Sequence, residues 1–535
     1  MNQTSMHARK ENLFLVNQKG FKLFVPLVFF LIQVAFGQVT TTQFPYFLSL
    51  QEGNSPPAGV YLPGANNKAK FTKEGLFLTE LKQFQFGAIL LQDLAFNSDN
   101  GLDISFEFNI YDGDQVGTDG ILMFLYDGSI PNSEMHMGAT GRSLGYVFSR
   151  AAESAKSKRE KGVPGAYLGI GLNISGNFKV RNFGESARMN GTAIGWPGGS
   201  IQGASHITLR GGELKLPQSD PYSGYRGYPV LKTVSTLAVD SKERGGATIM
   251  SDGTYQYELG TLLPENSTFN LRNGAIADDS SDPNFRKAFI RLIPHVDGGF
   301  EVSVFIQHGE EITTVIDRYH YKTTVNYYEN AESLHGDFST EDQNVEGGDV
   351  VYTLESVVPE TFKIGFAGVT GGRMNRHMIR NLSVSLPFSA EATDKHFEVC
   401  EQASSLFNPL LNDLAYAGHI SNPTGSIENI DPYSFTFYTE ELRPTLDPYT
   451  YENEEGKWVY DPILTLISFE PKAMFSLKPA MAKYSIKGKN GAVGEPYGEE
   501  NYRSNIATIT LNAKRCLIPL NPNLQLRIKQ STLPN

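Results

Sequence analysis

The stretch Gly117-Thr-Asp-Gly-Ile-Leu-Met-Phe-Leu-Tyr126 decides the fold. An unbroken apolar run starts directly after an Asp-Gly pair, so a strand of a hydrophobic sheet ends on a carboxylate and a residue without Cβ. Two later segments repeat the arrangement. They are Ala166-Tyr-Leu-Gly-Ile-Gly-Leu-Asn-Ile-Ser-Gly-Asn-Phe178, and Phe362-Lys-Ile-Gly-Phe-Ala-Gly-Val-Thr-Gly-Gly372 followed by His377. Each presents Asp, Asn or bare backbone at the rim of an apolar sheet. Such a rim suits a neutral, hydroxyl-rich ligand.

Outward from these segments the strand-length runs continue: Phe84–Leu91, Leu102–Tyr111, Ile121–Tyr126, Tyr167–Leu172, His206–Leu209, Ala288–Ile293, Phe300–Gln307, Phe362–Gly368 and Asn381–Leu386. Val, Ile, Phe and Tyr recur in them with period two, and Gly, Asn, Asp and Pro separate them, which predicts an all-β sandwich. Only Ser149–Lys161, rich in Ala, Lys and Glu, reads as a helix. Residues 210–286 form a long Gly-, Pro-, Ser-, Tyr- and Asp-rich insertion. It is too long for a structureless loop in a compact domain, and edge strands are expected at Thr233–Val239 and Thr254–Leu259.

The three segments in this order resemble the bacterial form of the L-type, or legume-lectin-like, domain over residues 40–388. The resemblance implies a concanavalin A-like jelly roll of two large antiparallel sheets that binds carbohydrate. Asp119, within Thr118-Asp119-Gly120, matches the family's sugar-binding Asp, whose carboxylate accepts bonds from two hydroxyls and whose preceding peptide is often cis. Gly141-Arg142-Ser143-Leu144-Gly145-Tyr146 matches a loop whose second position gives a backbone amide to the sugar. Here Arg142 stands there, either as a charged group over the pocket or as a surface arginine. Asn177 matches the Asn that binds sugar through its amide and calcium through its carbonyl oxygen. Phe178 is either the ring stacking beneath the sugar or an inward core residue. Arg373 and Asn375 lie in the family's variable specificity loop, within reach of a ligand or at a solvated hairpin tip.

The metal side of the resemblance is thinner. Asn173 aligns with a calcium-binding Asp, so Asn173 and Asn177 are the candidate calcium ligands. The plant pattern, however, has a metal-ligating Glu where this chain has Gly171. Hard calcium wants several oxygens with net negative charge, so a weak or absent ion is expected, and the transition-metal site is expected to be lost.

At 535 residues the chain is long enough for more than one domain. Residues 1–37 read as a cleavable signal peptide, because the apolar stretch Lys22–Gly37 behind Arg9, Lys10 and Lys19 is shorter than the ~20 residues a spanning helix needs. The mature protein is then secreted or on the cell surface, with no membrane insertion. Removal takes the formal charge from -12 to about -15, a field that repels nucleic acid. The jelly roll is expected over residues 38–390 and a second module over 391–535, where short strands at regular spacing suggest a small Greek-key sandwich. The order of its pieces is similar to the immunoglobulin-like, CshA-type modules of bacterial surface adhesins, which act as spacers. Cys400 and Cys516, the two cysteines, are placed to close a disulfide across it, free thiols being the alternative.

An enzyme on the same fold is the rival reading. A retaining glycosidase needs two carboxylates about 5–5.5 Å apart. The nearest match is Asp103 with Glu107, on a strand whose outer face explains them as well. No Gly-x-Ser-x-Gly, His-Glu-x-x-His or Walker-type loop occurs. A structural surface module with a decayed sugar pocket is the third reading.

Overall fold

From Leu102 to Tyr111 apolar and polar residues alternate, and the structure turns Leu102, Ile104, Phe106, Phe108 and Ile110 into one hydrophobic core. The computed structural model describes residues 41–516 except 52, 115–116, 150–159, 177, 179–187, 190–191, 194–204, 221, 238–246, 250–254, 258–262, 331–348, 402, 420–421, 474, 476–477 and 490–495. The expected signal peptide, Asn177 and all but the ends of the expected helix lie outside the described residues.

Leu102–Tyr111 sits in the middle of a back sheet of eight strands. In spatial order this sheet runs Glu311–Tyr321, Phe300–His308, Arg286–Pro294, Leu102–Tyr111, Arg376–Ser385, Leu76–Thr79 and Lys70–Phe71, with Tyr46–Leu48 also on Arg376–Ser385. The front sheet, again of eight, runs Val230–Ser235, His206–Arg210, Ala166–Asn173, Gly120–Asp127, Thr361–Val369, Phe86–Leu91 and Val60–Tyr61, with Phe96–Asn97 on Thr361–Val369. All pairings within both sheets are antiparallel, and one core fills the space between them, giving the expected jelly-roll sandwich. The expected insertion adds Val230–Ser235 to the edge of the front sheet and a short ladder strand, Tyr255–Tyr257.

The front sheet is buried on both faces, which explains why Gly120–Asp127 is apolar at nearly every position instead of alternating. Ile121, Met123 and Leu125 face the core between the sheets. Leu122, Phe124 and Tyr126 face outward into a separate apolar cluster with Leu144, Tyr146, Phe148, Phe178 and Tyr228. The Tyr146 ring stands 5.8 Å from Phe124 and 5.4 Å from Tyr228, so the covering layer is largely aromatic.

Residues 395–514 form a second two-sheet sandwich. One sheet orders Lys395–Cys400, Ala507–Lys514, Ala480–Gly488 and Ile430–Tyr438, the first pair parallel; the other orders Ser405–Phe407, Leu466–Pro471, Gly456–Asp461 and Thr450–Glu452. Its own core contains Trp458, Phe469, Phe435 and Tyr484. Cys400 and Cys516 are joined by a disulfide that closes a span of 116 residues. Tyr497 and Tyr502 reach from this region into the core cluster of the first sandwich. Beside them, Arg291 pairs with Asp103 at 2.6 Å and with Glu391 at 3.5 Å, and the Tyr416 hydroxyl donates to Glu391 at 2.5 Å. Among the described residues no helix is long and apolar enough to cross a membrane.

Candidate functional site

Register decides which side chains meet. Phe86, Val369, Gly120, Asn173 and His206 stand side by side across the front sheet. At that row neighbouring strands end together, so the chain before Phe86, after Val369, before Gly120 and after Asn173 emerges at one end of the sandwich. All three segments singled out in the sequence therefore deliver their polar ends to one rim.

Asp119 lies at its centre. Its N–H donates to Val369 O at 2.7 Å, and its carbonyl accepts from Ile174 N–H at 3.1 Å and from the Asn173 amide at 2.7 Å. The Thr118–Asp119 peptide is cis, as the resemblance implied. Asp119 is buried, 3% exposed. Another loop comes close at Gly371, where a Cβ would lie 3.2 Å from Thr118 Oγ1 and 3.6 Å from Asp119 Oδ2. The Gly371 N–H donates to Thr118 Oγ1 at 2.9 Å, and that hydroxyl donates to Arg373 O at 2.8 Å. Arg373 itself is exposed.

The turn at Gly141–Ser143 belongs to the layer covering the front sheet. Leu144 is buried there beside Val369, and Gly145 lies against the Phe86 ring, which places Gly141 and Arg142, both partly exposed, over the same end of the sheet. His377, at the base of the 371–376 loop, is buried with its Nδ1 at 2.7 Å from Thr79 Oγ1.

Of the candidate residues, Phe178 takes one of its two expected places, and for Asn375 the expectation is corrected. Phe178 is not a platform for a ligand: it is 0% exposed, with its ring under the Arg210 guanidinium at 5.0 Å. Asn375 does not face a ligand. It is fully buried and its amide donates to Asp112 O at 2.5 Å and Asp114 O at 3.3 Å, which ties the 371–376 loop to the turn at Asp112–Asp114. Asn173 fastens the turn, its amide donating to Asp119 O and its Oδ1 accepting from Phe178 N–H at 3.2 Å.

Gly171 is the reason Phe178 turns inward. A Cβ at this position would stand 2.4 Å from the Phe178 ring, so the missing side chain is the seat of that ring. Where the plant pattern keeps a metal-ligating Glu, this chain keeps an aromatic contact. Gly171→Ala is expected to displace the ring and cost about 1–3 kcal/mol of stability, measured by denaturant unfolding. An unchanged midpoint is the contrary result. Among the described residues no group of three or more His, Cys, Asp or Glu is placed to hold a metal ion.

No family model matches this chain, and no curated protein sequence does either. Solved structures give remote similarities. The lectin from Bauhinia forficata in complex with GalNAc is 12% identical, over 64% of this chain and 97% of that one, at a TM-score of 0.30. The calcium-bound exoplasmic/lumenal domain of VIP36 is 10% identical, over 63% of this chain and 88% of that one, at 0.30. The metal-free carbohydrate recognition domain of Emp46p is 11% identical, over 63% and 95%, at 0.29. Similarity this remote leaves the site to be read from this chain's own residues.

The rival carboxylate pair has other partners. Arg291 holds Asp103 through two bonds to one oxygen, at 2.8 and 2.6 Å. Burial pushes the Asp103 carboxyl above its ordinary range, with Arg291 opposing the rise. Glu107 accepts from Arg380 at 2.7 Å and from Asn381 at 2.9 Å. Both carboxylates are engaged with the back sheet and with the joint to the second sandwich, away from the rim around Asp119.

Proposed function

We propose that this chain is a non-catalytic, lectin-like carbohydrate-binding protein that works outside the cell or at its surface. Saccharide hydroxyls are bound at the rim by the Asp119 carboxylate, by backbone at Gly141–Arg142, by Asn177 and by the Arg373 loop. One observation carries the reading: register brings a buried carboxylate, two glycine-bearing turns and exposed backbone to one end of a doubly covered sheet, the mixture of few directed polar groups and apolar walls that ligand sites share. The non-catalytic part is supported by Asp103 and Glu107, which arginines already engage. Residues 391–535 are proposed to act as an immunoglobulin-like spacer for a surface adhesin.

Weak affinity for one sugar is expected, since an open rim competes with water for the same hydroxyls, so multivalent display matters. The test is glycan-panel binding of the wild type beside Asp119→Ala. The substitution removes the central acceptor and is expected to lower binding at least about tenfold. Retained binding contradicts the site, and release of new reducing ends contradicts the non-catalytic reading.

A further inference from the structure

We propose that Phe84 is the floor of a second saccharide subsite beside Asp119, so that the site takes an oligosaccharide in preference to a single sugar ring. The proposal rests on the carbohydrate-binding reading above and adds the extent of its ligand. Phe84 is 80% exposed, whereas the ring expected to serve the site, Phe178, is fully covered. A lone exposed aromatic is ordinary. What sets this one apart is how it is held. Its φ is 53°, a left-handed conformation that is costly for a bulky residue and persists only where the surroundings impose it.

Here the surroundings are the rim itself. The Phe84 N–H donates to Gly371 O at 3.1 Å, and the Gln85 N–H to Thr370 Oγ1 at 2.9 Å. The Gln83 amide donates to Gly372 O at 2.6 Å. Three consecutive residues are thus pinned to the turn that lies against Asp119, and the pinned ring projects into water. Gly371 links the two, its carbonyl accepting from Phe84 N–H while a Cβ on it would lie 3.6 Å from Asp119 Oδ2, and a Cβ on the adjacent Gly372 would meet nothing within 4 Å. A sugar whose hydroxyls reach the Asp119 carboxylate has open backbone beside it, and the next ring along the chain passes over that backbone to lay its C–H face on Phe84.

The experiment is calorimetric titration of the full chain with methyl glucoside, galactoside and mannoside, and with the disaccharides that extend each by one hexose. Wild type is expected to bind its preferred disaccharide about tenfold more tightly than the matching monosaccharide. Phe84→Ala is expected to erase that gain and leave the monosaccharide unchanged, while Phe84→Trp keeps it. Phe84→Asn, which tolerates a left-handed backbone, controls for folding and is expected to behave as the alanine variant does. Equal wild-type affinity for both sugars, or a gain that survives Phe84→Ala, overturns the second subsite. If Asp119→Ala abolishes all binding while Phe84→Ala changes none, only this inference fails. If wild type binds no saccharide, the carbohydrate reading fails and takes this one with it.

Discussion

Acidification from about pH 6.5 to about pH 3 is expected to cost the first sandwich several kcal/mol, with His377 as a principal source. This imidazole is fully buried, and burial pushes its pKa down from 6.5 to about 3. Above pH 6.5 it is neutral in both the folded and the unfolded chain and contributes no pH dependence. Below that value the unfolded chain takes up the proton and the folded chain does not, so stability falls as pH falls until the folded pKa is reached. Each pH unit in that window costs about 1.4 kcal/mol. The check is urea unfolding of wild type and His377→Gln across this range. The variant is expected to start less stable at neutral pH, because the contact with Thr79 is altered, and to lose stability less steeply on acidification. Parallel slopes contradict the assignment.

Reduction of the Cys400–Cys516 bridge is expected to destabilise the second sandwich by about 2–5 kcal/mol. The span closed is 116 residues and holds every strand of that sandwich from Ser405–Phe407 to Ala507–Lys514, so the unfolded chain loses much freedom when the bond is present. Trp458 reports the event, since it is fully buried and packed 4.6 Å from the Phe469 ring. Its fluorescence should move to longer wavelength at lower denaturant in the reduced protein. Coincident oxidised and reduced curves contradict the expectation.

Much of the fold was legible because the apolar pattern answers directly to burial. Leu102–Tyr111 was read to the residue, and Thr361–Val369 to within one residue at each end. Glu311–Tyr321 was missed. It is the edge strand of the back sheet, its outer side chains are in water, and its pairing with Phe300–His308 shifts register around Val302–Phe305, which blurs the alternation. At the proposed site, the meeting of Asp119 and Gly371 at one rim was legible because both stand at the ends of apolar strand runs. Asn375 and Asn173 were not, because their amides are consumed by backbone far away in the chain, Asp112 O being 263 residues from Asn375. No local pattern records such a partner. Phe84, between Gln83 and Gln85, reads as one more alternating strand residue, and nothing in the sequence signals its left-handed backbone.

The central claim is that one end of the front sheet receives a saccharide, and backbone amide shifts of the full chain during titration with the glycan found in the panel test it most directly. The expected result is a set of perturbations confined to residues 83–85, 118–120, 141–145, 177 and 370–373. Shifts clustered on the second sandwich or along the back sheet, or none at saturating glycan, contradict it.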